Sequence, residues 1–292
     1  MFQKLFEFSD HTGPVYCLTK HNDFLFSSGA DKYIVRWNLN NCTQDNFVIR
    51  LENSAYSIKH LMNLPYLVIG SSNGDLHVIN SLEKKEIKFI QHHKSAIFSI
   101  YEIPEKTLLL TGDADGNLCI WKSDNFQLLI QIPLNSGKIR TIKHFQNELF
   151  IGSKDGVMRI FELDFFNQIE EKIINKDGIQ SILKIDDVIM IGGYDGYLFA
   201  LESKTKKIIS KIPAHRGPIY SLVSFNSDYF ISSSRDKSIK IWDKNTLKVI
   251  DKKEFKTGGH KNSVNQVLEL NKTTFATCSD DSRIILWSNK LI

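Results

Sequence analysis

A chain of 292 residues, 42% of them hydrophobic and 24% charged, has the ordinary make-up of a globular protein able to bury a sizeable core. No apolar run reaches the 18 residues that a membrane-crossing helix needs, and the alternating residues at the N-terminus lack the continuous apolar stretch of a secretory signal. The formal charge of +4 falls short of the clustered excess common in nucleic-acid binders and reads as a solvated, lysine-rich exterior.

In chain order, the first element is a spare strand at Lys4–Phe8, with no repeat of its own. Three runs of strand length follow at Val15–Leu18, Phe24–Ser27 and Tyr33–Trp37, and a weaker fourth at Phe47–Leu51. From there the chain repeats itself. Anchor residues stand at Trp37, Ile79, Trp121, Phe161, Leu201, Trp242 and Trp287, spaced 42, 42, 40, 40, 41 and 45 apart. Six residues before each anchor is an Asp or Asn: Asp31, Asn73, Asp115, Asp155, Asp195, Asp236 and Asp281. In four repeats this residue opens an Asn-Gly or Asp-Gly dipeptide (Asn73-Gly74, Asp115-Gly116, Asp155-Gly156, Asp195-Gly196), which supplies the positive φ that tight hairpins demand.

No segment sustains a helical period. Units of about 41 residues, none able to bury its apolar face alone, predict an all-β fold: a seven-bladed β-propeller of four-stranded antiparallel blades filling one domain, residues 1–292. The last repeat ends at Trp287 with five residues to spare, too few for a fourth strand. The N-terminal strand is therefore expected to join the last blade and close the ring, because closure removes unpaired edges. Cys17, Cys42, Cys119 and Cys278 are widely separated and form no C-x-x-C pair. They read as reduced thiols in a cytoplasmic compartment, or a nuclear one in a eukaryote.

Four repeats carry a fuller pattern of His, hydroxyl, Asp and Trp. The sets are His11/Ser27/Asp31/Trp37, His93/Thr111/Asp115/Trp121, His215/Ser232/Asp236/Trp242 and His260/Thr277/Asp281/Trp287. In each, the hydroxyl lies four residues before the Asp and the Trp six after it. Over its full length the chain resembles the WD-repeat (WD40) propeller family, with Trp242-Asp243 its one literal WD dipeptide. The resemblance implies that the four side chains form a buried hydrogen-bond network, and their donor and acceptor inventory is compatible with that. The other three repeats have Ile69, Ile151 and Ile191 at the hydroxyl and Ile79, Phe161 and Leu201 at the Trp. The fourth and fifth have Asn135 and Asn175 at the His. Loss of the members together is expected, since a buried network missing one partner strands polar groups, whereas an all-apolar set does not.

Ser, His and Asp in one chain invite a hydrolase reading. A triad is a single constellation with an oxyanion site, however, and four equivalent copies interleaved with Trp are structural. Asp113-Ala114-Asp115-Gly116 lacks the distal Glu of a calcium loop, and no phosphate-binding or nucleophile-elbow motif occurs. No catalytic residue, metal or cofactor is expected, and no membrane.

The family resemblance implies a binding platform on the face carrying the inter-blade and tight-turn loops. Aromatic residues Tyr16, Tyr56, Phe98, Tyr194 and Tyr220 belong to that face, with Lys138, Arg140 and Lys154 together on the fourth blade and Arg235 on the sixth. Lys252, Lys253 and Lys256 are expected to add to it from a long connection, Asp251–Gly259. Tyr and Arg anchor interfaces, and basic clusters pair with carboxylate and phosphate. The leading expectation is a monomeric, non-enzymatic scaffold module within a complex, which binds an acidic or phosphorylated protein segment. Two other readings stand beside it. One is nucleic-acid binding on the same basic face, which salt would weaken steeply. The other is an enzyme using the central cavity, which would need a perturbed acid–base cluster there.

Overall fold

The computed structural model describes residues 2–289. Its strands fall into seven consecutive four-stranded antiparallel sheets, the blades of a β-propeller. Blade 1 comprises Val15–His21, Phe24–Gly29, Tyr33–Asn38 and Thr43–Arg50; blade 2, Ala55–His60, Tyr66–Ser71, Asp75–Asn80 and Lys85–Gln91. Blade 3 is Ile97–Ile103, Leu108–Asp113, Asn117–Lys122 and Leu128–Pro133; blade 4 is Ile139–Phe145, Glu148–Ser153, Val157–Glu162 and Gln168–Ile173. Blade 5 runs Ile179–Ile185, Val188–Gly193, Tyr197–Glu202 and Ile208–Pro213, and blade 6 Ile219–Phe225, Tyr229–Ser234, Ile239–Asp243 and Val249–Lys253. Blade 7 has Val264–Glu269, Thr274–Ser279 and Ile284–Asn289 in sequence order. Its fourth strand is the N-terminal one, Phe2–Phe8, paired antiparallel with Ile284–Asn289.

The N-terminal strand is two residues longer than the alternation alone indicates, because Phe2 is an anchor. It is 3% exposed and meets Phe225, Tyr229 and Phe275 with ring centroids 5.7, 5.9 and 5.9 Å away. At the other end of the pairing, Arg283 reaches back to Glu7 at 3.0 Å. The Asp251–Gly259 connection also differs from expectation. Val249–Lys253 is the outer strand of blade 6, and Lys253 pairs with Asp251 at 3.0 Å, so neither residue belongs to a loop.

The turn residues do what their chemistry predicts. The carboxylates of Asp31, Asp155, Asp195, Asp236 and Asp281 each accept the backbone N–H two residues on, at 3.1–3.2 Å. The glycines after them answer a second demand. At Gly156, φ is +77°, and a β-carbon would stand 2.0 Å from the carbonyl oxygen of Asn175, which crosses directly over the turn. Gly156→Ala is expected to lower stability by roughly 2 kcal/mol or more, since the new methyl meets both a disfavoured φ and an immovable backbone atom. Chemical denaturation would show it as a lower midpoint at unchanged slope.

A bulge recurs at the second residue of the first strand in blades 2 to 7. In four blades the hydroxyl just past it reaches the next blade: Ser57 donates to the carbonyl of Ile97 at 2.8 Å, Ser99 to Ile139 at 3.3 Å, Ser181 to Ile219 at 3.0 Å and Ser221 to Val267 at 3.4 Å. The apolar core lies between successive blades rather than at one centre. One cluster spans blades 3 and 4 around Ile120, Ile139 and Ile151; another spans blades 6 and 7 around Phe225, Phe275 and Trp287. This is why a single repeat cannot fold alone.

The chain divides into two compact units, one of Cys17–Lys176 and the other of the residues up to Tyr16 together with those from Asp177 on. The first holds blades 1 to 4, apart from the opening two residues of blade 1, and the second holds blades 5 to 7.

Candidate functional site

Two kinds of polar arrangement stand out, one buried and one exposed. The buried one is the network. In blade 6, Trp242 Nε1–H donates to Ser232 Oγ at 2.8 Å, Ser232 lies 2.7 Å from His215 Nε2, and His215 Nδ1 lies 3.0 Å from Asp236. Blade 7 repeats this through Trp287, Thr277, His260 and Asp281 at 2.9, 2.8 and 3.1 Å. In blade 1, Trp37 donates to Ser27 at 2.8 Å.

Donor counting sets the protons. With the hydroxyl oxygen accepting from Trp, its hydrogen goes to His Nε2, so the neutral imidazole carries its proton on Nδ1 and donates it to the carboxylate. The electrostatics agree. Burial holds the His215 imidazole below its ordinary pKa despite the Asp236 carboxylate beside it. Burial pushes the Asp236 carboxyl up, but the hydrogen bond and charge of His215, then Ser238 and the Arg216 N–H, outweigh it and leave it well below the usual carboxylate range.

The resulting Asp–His–Ser chain has the connectivity of a catalytic triad and none of its access. Ser232 and Thr277 are 0% exposed, and each hydroxyl is spent between a Trp N–H and a His nitrogen. The arrangement stabilises structure.

Blade 3 corrects one assignment. His93 Nε2 lies 2.7 Å from Thr111 and Trp121 donates to Thr111 at 2.9 Å, as expected, but the carboxylate on His93 Nδ1 is Asp113, at 2.8 Å, and not Asp115. Asp113 is fully buried and also accepts the Asn117 backbone N–H at 2.8 Å and Asn117 Nδ2 at 2.9 Å. Asp115 sits at the exposed tip of the turn, where its backbone N–H donates to Asp113 at 3.0 Å. Spacing alone does not decide between the two. The His-to-carboxylate separation is 20 for His93–Asp113, against 21 in blades 6 and 7, whereas Asp115 would make it 22.

In the other blades the network is replaced as a set. Ile69 and Ile79, Ile151 and Phe161, and Ile191 and Leu201 are all buried.

The exposed arrangement lies at the loop ends of blades 2, 3 and 4. Tyr56 and Phe98, each at the second position of its blade's first strand, stack with ring centroids 5.1 Å apart and planes 11° apart. Lys138 Nζ stands 4.9 Å and Arg140 Cζ 4.8 Å from the centroid of the Phe98 ring. The Lys154 N–H donates to the Lys138 carbonyl at 3.0 Å, which sets the two lysines side by side across Gly137. Lys138 and Lys154 are exposed, and among the described residues neither is in an ion pair. Five of the nine residues expected at the partner face thus come together in the Cys17–Lys176 unit.

The other four, Tyr16, Tyr194, Tyr220 and Arg235, belong to the second unit. There the Arg235 N–H donates to the Pro218 carbonyl at 3.1 Å and the Tyr194 N–H to Gly178 at 2.8 Å. The same cross-link joins Lys154 to Lys138, so the residue before the turn Asp and the residue before the first strand meet at one end of these blades.

Blades of four antiparallel strands, locked in three cases by a Trp, hydroxyl and His set and in a fourth by a Trp–Ser hydrogen bond, define a repeat propeller with exposed loop ends. The family model described as WD domain, G-beta repeat matches residues 2–38, 84–122, 206–243 and 252–288, just over half of the chain. The chain belongs to the WD40 family. The four matches each end one residue past a Trp anchor, and each begins at, just before or within the outer strand that precedes the blade, so the sequence repeat and the structural blade are one strand out of phase. No curated protein matches the sequence. Among solved structures, that of the computationally designed Ika8 protein is similar over 94% of this chain and 83% of that one, with a TM-score of 0.73 and 16% identity, a likeness of fold alone.

Proposed function

We propose that this WD40 propeller is a non-enzymatic scaffold that captures an acidic or phosphorylated segment of a partner protein on the loop ends of blades 2 to 4. WD40 propellers commonly mediate protein–protein interaction. The observation that carries the finer reading is the pair of cations over Phe98. A ring whose negative face already holds Lys138 and Arg140 is poorly placed to cage a further cation, such as a methylated lysine. Lys138 and Lys154, with no carboxylate to neutralise them, instead favour an anionic partner, and the Tyr56–Phe98 stack offers rigid apolar area beside them. The reading takes residues 1–292 as one module working in a cytoplasmic, reducing compartment, which the four free cysteines support.

Replacing Lys138, Arg140 and Lys154 together by Ala is expected to abolish capture of partner chains in affinity purification while leaving the thermal transition in place. All three side chains lie outside the cores between blades. Undiminished capture by the triple variant would place the interface elsewhere.

A further inference from the structure

The first strands of blades 2, 3 and 4 pack side by side, and their fifth positions are Lys59, Tyr101 and Lys143. Lys143 is partly buried, and its ammonium lies 5.4 Å from the centroid of the Tyr101 ring. Among the described residues it makes no ion pair and donates no hydrogen bond. Burial and the nearby charge of Lys59 hold its pKa below the usual lysine range.

The neighbouring groups are already committed. Glu102, buried, lies 3.4 Å from Lys59 Nζ, and both its oxygens accept the Met62 N–H at 3.0 Å. His144 lies 2.8 Å from Glu105, and its other nitrogen lies 3.1 Å from the Tyr101 hydroxyl. Glu102 thus answers Lys59, and the ammonium of Lys143 has the Tyr101 ring beside it but no carboxylate. A desolvated ammonium without an anion is costly to hold. Nothing in the WD40 architecture asks for one here, since the equivalent positions of blades 5 and 6 are Leu183 and Val223.

We propose that Lys143, with Lys59, forms an anion site for a phosphate group on this strand face. It is separate from the Lys138–Lys154 patch at the loop ends and independent of the function proposed for that patch. Phosphate suits the site better than a single carboxylate does, because its charge and several acceptor oxygens can engage both ammonium groups while Glu102 remains on Lys59. Ligand binding also explains why so poorly compensated a lysine is held in folded protein, since bound phosphate would restore the ammonium's lost solvation.

Titration calorimetry of the whole protein with inorganic phosphate, and of the Lys138→Ala/Lys154→Ala protein, which lacks the loop-end lysines, with a short phosphoserine peptide, tests this. The site predicts saturable binding of at least one, the tighter of the two identifying the phosphate's source. For inorganic phosphate it also predicts an affinity loss of about tenfold or more in Lys143→Met, a smaller loss in Lys59→Met, and no loss in Lys138→Ala/Lys154→Ala. Lys143→Arg, which keeps the charge, should retain binding, and the Lys143 ammonium resonance should move on phosphate addition to the wild-type protein. Absence of saturable binding of either probe, or binding by Lys143→Met equal to the wild type, would overturn the assignment.

Discussion

Removal of residues 2–9 should abolish cooperative folding. The deletion takes away the whole fourth strand of blade 7, including Phe2 and Phe8, each 3% exposed, and it leaves Ile284–Asn289 as an unpaired edge. Truncating one buried Phe costs about 3–5 kcal/mol, and the total stability of a natural domain is about 5–15 kcal/mol, so two such losses together with a lost ladder consume most of it. The bared edge is also a template for aggregation. Phe2→Ala alone should lower the denaturation midpoint markedly, because its aromatic contacts tie the strand to blades 6 and 7. Glu7→Gln should cost under about 1 kcal/mol, its pair with Arg283 being partly solvated. A cooperative thermal transition in the deletion chain, within a few degrees of the intact protein, would contradict this role for the strand.

The second large effect lies in blade 3. His93→Ala leaves the Asp113 carboxylate buried without its imidazole and Thr111 without an acceptor, and is expected to cost about 3–5 kcal/mol. Thr111→Ile alone strands both the Trp121 N–H and His93 Nε2, at about 2 kcal/mol or more. Yet blade 4 tolerates Ile151 and Phe161 at the hydroxyl and Trp positions, with Asn135 and Ser153 in place of the imidazole and carboxylate. A quadruple variant that copies it (His93→Asn, Thr111→Ile, Asp113→Ser, Trp121→Phe, after Asn135, Ile151, Ser153 and Phe161) should cost far less than the summed single changes. Urea denaturation of the singles and the quadruple measures that non-additivity. Simple addition would mean that the network is not a unit.

How much of this is readable in the sequence depends on the range of the interaction. The repeat period and the Asp-Gly turns rest on local spacings, and the closing N-terminal strand on the count of strands per repeat, and the structure carries all three. Asp113 escaped because the hydroxyl-to-Asp spacing points to Asp115, and the His-to-Asp separation, 20 for Asp113 and 22 for Asp115 against 21 in blades 6 and 7, favours neither. Lys253 read as loop because the outer strands of these blades are exposed and weakly patterned, and nothing local marks where Val249–Lys253 ends. The nine partner-face positions could be placed by register. That Tyr56 stacks on Phe98 beneath Lys138 and Arg140 could not, because the contacts cross three blades. Lys143 was invisible for the same reason, since its burial comes from its neighbours rather than from its own strand.

The central claim is that the loop ends of blades 2 to 4 select anionic protein segments. Fluorescence anisotropy with matched peptides that are acidic, phosphorylated, neutral or basic tests it most directly, with wild type and the Lys138/Arg140/Lys154 triple-Ala variant measured side by side. The account predicts that only the acidic or phosphorylated peptides bind the wild type, that added salt weakens them, and that the triple variant loses about tenfold or more in affinity. Equal binding of neutral and anionic peptides, or equal affinity in the triple variant, would contradict it.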